Sequence, residues 1–99
     1  MKTFQDLKFK KDPIAITISS NRFCAIEKFD NGHFIFAYTD ISNKDKLYDV
    51  IVTDADCEDI KVNLPSFPNE SDTSSVYIYL TSKDVTRLME EVQSLPNIN

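Results

Sequence analysis

Gly32 is the only glycine in 99 residues, and that scarcity limits the chain more than any other feature. It stands in Phe29-Asp30-Asn31-Gly32-His33-Phe34. Asn-Gly between two apolar runs predicts a β-hairpin, since a type I′ turn needs positive φ at both central residues. The turn uses up the glycine. None is left for a phosphate-binding loop, a dinucleotide fingerprint or a nucleophile elbow, each of which needs glycine where backbone approaches ligand. His33 is likewise the only histidine. By elimination the chain reads as a small binding domain.

With a two-residue loop, Phe29 faces Phe34, Glu27 faces Phe36 and Ala25 faces Tyr38. That register puts Phe23, Ala25, Phe29, Phe34, Phe36 and Tyr38 on one face, the expected core, with Glu27 out of place. Cys24, Ile26, Lys28, Ile35, Ala37 and Thr39 form the other face, which is not cleanly polar. Ile14, Ile16 and Ile18 alternate with small polar residues and predict a strand. So do Leu47 to Thr53, the alternating Ile60, Val62 and Leu64, and Val76 to Leu80. In the last, Val76, Ile78 and Leu80 make the core side, and Tyr77 and Tyr79 point away from it. Pro65 to Ser75, polar and with two prolines, is the longest expected loop.

The C-terminal segment is the clearest helix. Thr81 and Asp84 have capping-box spacing, and Leu80 and Val85 sit at hydrophobic-staple positions. Val85, Leu88, Met89, Val92 and Leu95 recur at helical period, and Pro96 ends the run. Arg87 and Glu91 form an i,i+4 pair. Thr3 and Asp6 repeat the capping spacing on a short N-terminal turn. The elements predict one α+β domain over residues 1–99: a mostly antiparallel sheet of about five or six strands with the C-terminal helix packed on one face. The stripe should lie against Phe34, Phe36, Ile78 and Leu80.

Charge is unevenly spread. The first twelve residues carry +2, and the remaining 87 carry −7 of the total −5. Nine acids between Asp40 and Asp72 face only Lys44, Lys46 and Lys61. An acidic body disfavours direct contact with DNA or RNA; it fits plain solubility, or attraction to a basic partner. No apolar run approaches the roughly 20 residues of a membrane span. The N-terminus lacks the apolar run of a secretory leader, so the expected compartment is the reducing cytoplasm, with Cys24 and Cys57 free.

Asp54-Ala55-Asp56-Cys57-Glu58-Asp59 is the leading candidate site. Alternate carboxylates on a turn can chelate a hard cation, but the central glycine and distal glutamate of an EF-hand loop are missing. The bland alternative is a solvated turn. His33 beside a turn reads as an exposed imidazole with no nucleophile near it in sequence. Cys24 reads as a small strand hydrophobe. Four carboxylates around Cys57 oppose thiolate formation. The expected contact surface combines Asp49, Asp54, Asp56, Glu58 and Asp59 with Tyr77 and Tyr79; the tyrosines equally fit the second side of a buried strand. No catalytic residue and no cofactor is assigned.

Four stretches carry a resemblance: Phe4-x-Asp6-Leu7-x-Phe9, Phe29 to Gly32, Leu47-Tyr48-Asp49-Val50, and Tyr79 to Met89. Together they resemble small uncharacterised proteins encoded by bacteriophages and prophages. The Pro65 to Ser75 segment and the scarcity of glycine depart from that pattern. The resemblance implies a small accessory protein of a mobile element, working in the host cytoplasm, and brings no catalytic residues with it. The expected function is a non-enzymatic, acidic interaction protein that binds or inhibits a host or defence protein. The alternative is a metal-dependent enzyme or metal-binding domain built on Asp54–Asp59. The two-sided apolar hairpin leaves three ways to cover its second face: later strands, the N-terminal segment, or the second subunit of a homodimer.

Overall fold

Residues 1–11, 22–40, 42 and 44–98 are described by the structure, a computed structural model. Five strands, β1 (Lys10–Lys11), β2 (Arg22–Lys28), β3 (Phe34–Asp40), β4 (Tyr48–Thr53) and β5 (Ser75–Leu80), form one sheet in the order β1-β2-β3-β4-β5. Every neighbouring pair is antiparallel. One helix, α1 (Ser82–Gln93), follows β5 and packs back on the sheet. This is the α+β arrangement that the periodicities predict. The expected strand at Ile14–Ile18 lies outside the described residues.

The helix begins as its sequence dictates. Thr81 Oγ1 accepts from the Asp84 N–H (3.1 Å), and the Asp84 carboxylate accepts from the Thr81 N–H (3.0 Å). Two orphan donors of the first turn are satisfied by one pair of side chains. Val85, Leu88, Met89 and Val92 are fully buried, each contributing about 1.5–3 kcal/mol of apolar burial. Arg87 and Glu91 pair at 3.1 Å on the outer face. Glu91 also accepts from the Ser66 N–H (3.0 Å), which ties the long loop to the helix. Burial opposes ionisation of Glu91, but the bonds from Ser66 and the Arg87 charge outweigh it and hold its carboxyl below the usual range.

The hairpin forms where Asn31-Gly32 predicts it, but one residue out of the expected register. Phe29 N–H donates to His33 O (2.9 Å) and Gly32 N–H to Phe29 O (3.0 Å). Asp30, Asn31 and Gly32 form a three-residue loop, and Gly32 alone among them has positive φ, at 95°. That is a type I turn closed by a left-handed glycine, an alternative that Asn-Gly serves equally well. Ala25 therefore faces Ala37, Glu27 faces Ile35 and Ile26 faces Phe36. A one-residue slip moves a whole strand's side chains to the other face. Ile35 and Ala37 lie beneath the helix, while Phe34, Phe36 and Tyr38 face the opposite side.

What fixes this register is visible at the loop. Asn31 is only 6% exposed. Its Nδ2 donates to the carbonyls of Val92 (2.8 Å) and Leu95 (3.1 Å), and its Oδ1 accepts from the His33 N–H (3.2 Å). Its own carbonyl accepts from Ile98 N–H (2.9 Å). The hairpin tip thus holds the C-terminal end of the helix, where among the described residues the Val92 carbonyl otherwise accepts only short-range bonds, such as that from Leu95 N–H (3.1 Å). Glu27, out of place in the expected core, sits at the sheet margin with Lys2 Nζ 3.5 Å away.

Strand β5 departs from expectation in the same way. Tyr77 points into the core at 6% exposure, and Val76 and Ile78 point out at 48% and 55%. The sheet face under the helix carries the row Ala25–Ala37–Val50–Tyr77. Its two alanines leave room for the helix, and its tyrosine fills the far side. A β-bulge then inserts Ile78 and Tyr79 opposite Asp49 and returns Leu80 to the core. Ile60, Val62 and Leu64 form no strand: only the isolated bridges Thr53–Asp59 and Leu64–Phe67 occur there. Val62 and Leu64 are buried all the same. The Ser75 hydroxyl holds this loop, donating to Ile60 O (2.7 Å) and accepting from Val62 N–H (2.8 Å).

Candidate functional site: the open face of the sheet

With the helix on one side, the other side of the sheet carries its own apolar row. Ile26 pairs with Phe36, Phe36 with Ile51, and Ile51 with Val76, so one line of side chains crosses four strands. Ile26 is 58% exposed, and Ile78 extends the row on β5. Single exposed aliphatic residues are ordinary, whereas a contiguous exposed row marks a contact surface.

The middle strand adds an aromatic ladder at period two. Phe34 and Phe36 have centroids 6.4 Å apart. The Arg22 guanidinium lies 4.0 Å from the Tyr38 ring centre, and Lys28 Nζ lies 5.7 Å from that of Phe34. Both are cation–π distances.

Toward the β1–β2 edge the face deepens into a cleft of about 950 Å³. Cys24, Ile26, Phe36 and Tyr38 line it together with Lys2, Lys8, Lys10, Lys11 and Arg22. Among the described residues, five cations against Asp6 and Glu27 give +3 here, in a chain of net −5. Lys2 is spent locally on Glu27 and on the Lys28 carbonyl (3.1 Å). Among the described residues, no carboxylate pairs with Lys8, Lys10 or Lys11.

The bulge shapes the other end of the face. Tyr79 has φ 59°, a left-handed conformation that costs a bulky residue of order 1–3 kcal/mol. Its N–H, taken out of the ladder, donates to Asp49 Oδ1 (3.2 Å). The ring is 73% exposed. Tyr79 and Asp49 border a hollow of about 460 Å³ with Tyr38, Arg22, Asp40 and Lys44.

The expected contact residues are thus divided. Asp49 and Tyr79 come together on the open face. Tyr77 does not join them: it is buried, edge-on to Phe67 with centroids 5.8 Å apart. Among the described residues the Tyr77 hydroxyl makes no hydrogen bond of good geometry, and burial pushes its pKa up against the opposing pull of the nearby Ser75 hydroxyl. Asp54, Asp56, Glu58 and Asp59 stay together on the turn beyond β4. Asp54 Oδ1 accepts from the N–H groups of Asp56 and Glu58 (2.9 Å each), and Cys57 takes φ 60° between them. That oxygen shapes the turn, and Asp56, Glu58 and Asp59 face solvent. Among the described residues, no three His, Cys, Asp or Glu side chains converge as a metal centre would require.

His33 is not the exposed imidazole expected at a turn. It is 2% exposed, and its Nδ1 donates to Thr53 O (3.1 Å). Ile26 was expected on a second apolar face of the hairpin; Phe36, Ile51, Val76, Ile78 and the three lysines are the residues of this surface that pattern reasoning missed. The available signal was that Val76-Tyr77-Ile78-Tyr79 is apolar on both faces while one helix covers only one. No helix among the described residues is long and apolar enough to cross a membrane. Comparison with protein-family models, curated proteins and solved structures finds no match to this chain.

Proposed function

We propose that this is a non-enzymatic interaction protein whose open sheet face docks a partner protein. The observation that carries the reading is the apolar row from Ile26 through half-buried Phe36 and Ile51 to Val76, exposed at both ends and extended by exposed Ile78. Burying such a row stabilises a complex by roughly 25 cal/mol per Å² of apolar surface before the costs of association. The acidic turn Asp54–Asp59 gives the same molecule a second, basic-seeking surface. The partner in this reading is a host or defence protein in the host cytoplasm, which the resemblance to phage-encoded proteins supports.

The test compares capture from bacterial lysate on immobilised wild type and on Ile78→Asp. Ile78 is exposed, so the variant keeps its fold, checked by circular dichroism. A protein retained by wild type and lost by Ile78→Asp supports the reading. Retention indifferent to Ile78→Asp, or turnover of a small molecule by purified protein that captures nothing, contradicts it.

A further inference from the structure

Resting on that reading, we infer that the docked segment is an acidic peptide with aliphatic side chains. Its carboxylates lie along Lys8, Lys10 and Lys11, and its apolar side chains lie across Ile26, Phe36 and Val76. The argument is charge complementarity. The chain as a whole is −5, so its body attracts cations, yet the described lining of the cleft that opens onto the apolar row is +3. Lysines at that rim hold no carboxylate among the described residues, and an unpaired cation beside apolar surface favours a carboxylate brought by the ligand. Beyond a Debye length of about 8 Å the acidic body is screened, so a short acidic segment responds to the local field.

The same observations disfavour a single nucleic-acid strand. Such a strand stacks its bases on open aromatic faces. Here the rings of Tyr38 and Phe34 already carry Arg22 and Lys28 against them. The most exposed apolar groups of the row are the aliphatic Ile26, Val76 and Ile78, which suit peptide side chains better than bases.

The experiment is fluorescence anisotropy with a fluorescein-labelled peptide of about a dozen residues, a run of glutamates followed by alternating leucine and serine. Its arms are the same peptide with lysine for glutamate, the same peptide with serine for leucine, and labelled oligothymidylate. Wild type should bind the acidic leucine peptide, more weakly as salt rises from about 50 to 200 mM, and neither peptide control. Lys10→Glu combined with Lys11→Glu should weaken binding by about tenfold or more, as Ile78→Asp should. Equal binding of the lysine peptide, indifference to the charge reversal, or binding of oligothymidylate alone overturns the inference. So does a homodimer by light scattering that Ile78→Asp converts to monomer, since the face is then self-occupied. If Ile78→Asp abolishes lysate capture while the charge reversal leaves it intact, acid specificity falls and the docking face stands. If neither variant changes capture, both fall.

Discussion

Replacing Asn31 with alanine should be the most damaging single change to a loop residue in this protein. The side chain makes three hydrogen bonds, two to the helix carbonyls of Val92 and Leu95 and one from the His33 N–H, at 6% exposure. At about 0.5–1.5 kcal/mol net for each, Asn31→Ala costs roughly 2–4 kcal/mol. Small domains have about 5–15 kcal/mol to lose, and 1 kcal/mol moves Tm by about 4–8 °C at this size. The expected drop is therefore about 8–32 °C. Asn31→Asp separates the bonds by kind. It keeps an acceptor for His33 but sets a carboxylate against two carbonyls at the negative end of the helix. At neutral pH it should be worse than alanine. Protonation restores a donor, so the folded state raises the pKa of the introduced carboxyl. Relative to Asn31→Ala, the aspartate variant should regain stability as pH falls through the carboxylate range. Urea and thermal unfolding followed by circular dichroism measure both effects. A cost for Asn31→Ala within about 0.5 kcal/mol of zero, or an aspartate variant no worse than alanine, would refute the capping role.

Other residues test the packing. Leu88→Ala removes a fully buried side chain facing the sheet and should cost about 2–5 kcal/mol by urea unfolding. Tyr77→Phe deletes a buried hydroxyl that makes no hydrogen bond of good geometry among the described residues and should leave stability unchanged or raise it by about 1 kcal/mol. Because burial raises the Tyr77 pKa, wild type should lose stability relative to Tyr77→Phe as pH rises above 10, where the unfolded chain's tyrosine ionises first. Gly32→Ala puts a Cβ at φ 95° and should cost about 1–2 kcal/mol; a neutral result would mean that the loop is not built on a left-handed glycine.

The helix was fully legible because its signals are local: Thr81 with Asp84, Leu80 with Val85, and a stripe at one period. The hairpin's place was legible and its register was not. Asn-Gly supports a two-residue loop with both residues at positive φ, and a three-residue loop with positive φ at glycine alone. The choice here is made by long-range bonds from Asn31 to Val92 and Leu95, about sixty residues away in sequence. The expected faces of β2 were right and those of β3 inverted, because aromatic residues were taken as core when alanines were needed under the helix. Glu27 stays on the helix side of β2 with Ala25, and it is tolerated there because it lies at the sheet margin beside Lys2. Of the candidate site, Asp49 and Tyr79 were legible as exposed polar and aromatic residues, but what joins them is a bulge that no local pattern announces. The cationic cleft was hidden because its lysines meet Ile26 and Phe36 only through the pairing of β1 with β2.

The account rests on which side of the sheet meets solvent. Methyl NMR with a soluble gadolinium chelate reads that directly. The methyls of Ile26, Val76 and Ile78 should broaden strongly, and those of Ile35, Val85, Leu88 and Val92 should be spared. Protection of Ile26, Val76 and Ile78 in the isolated monomer, with broadening at Ile35 and Leu88, would contradict both the register and the docking face.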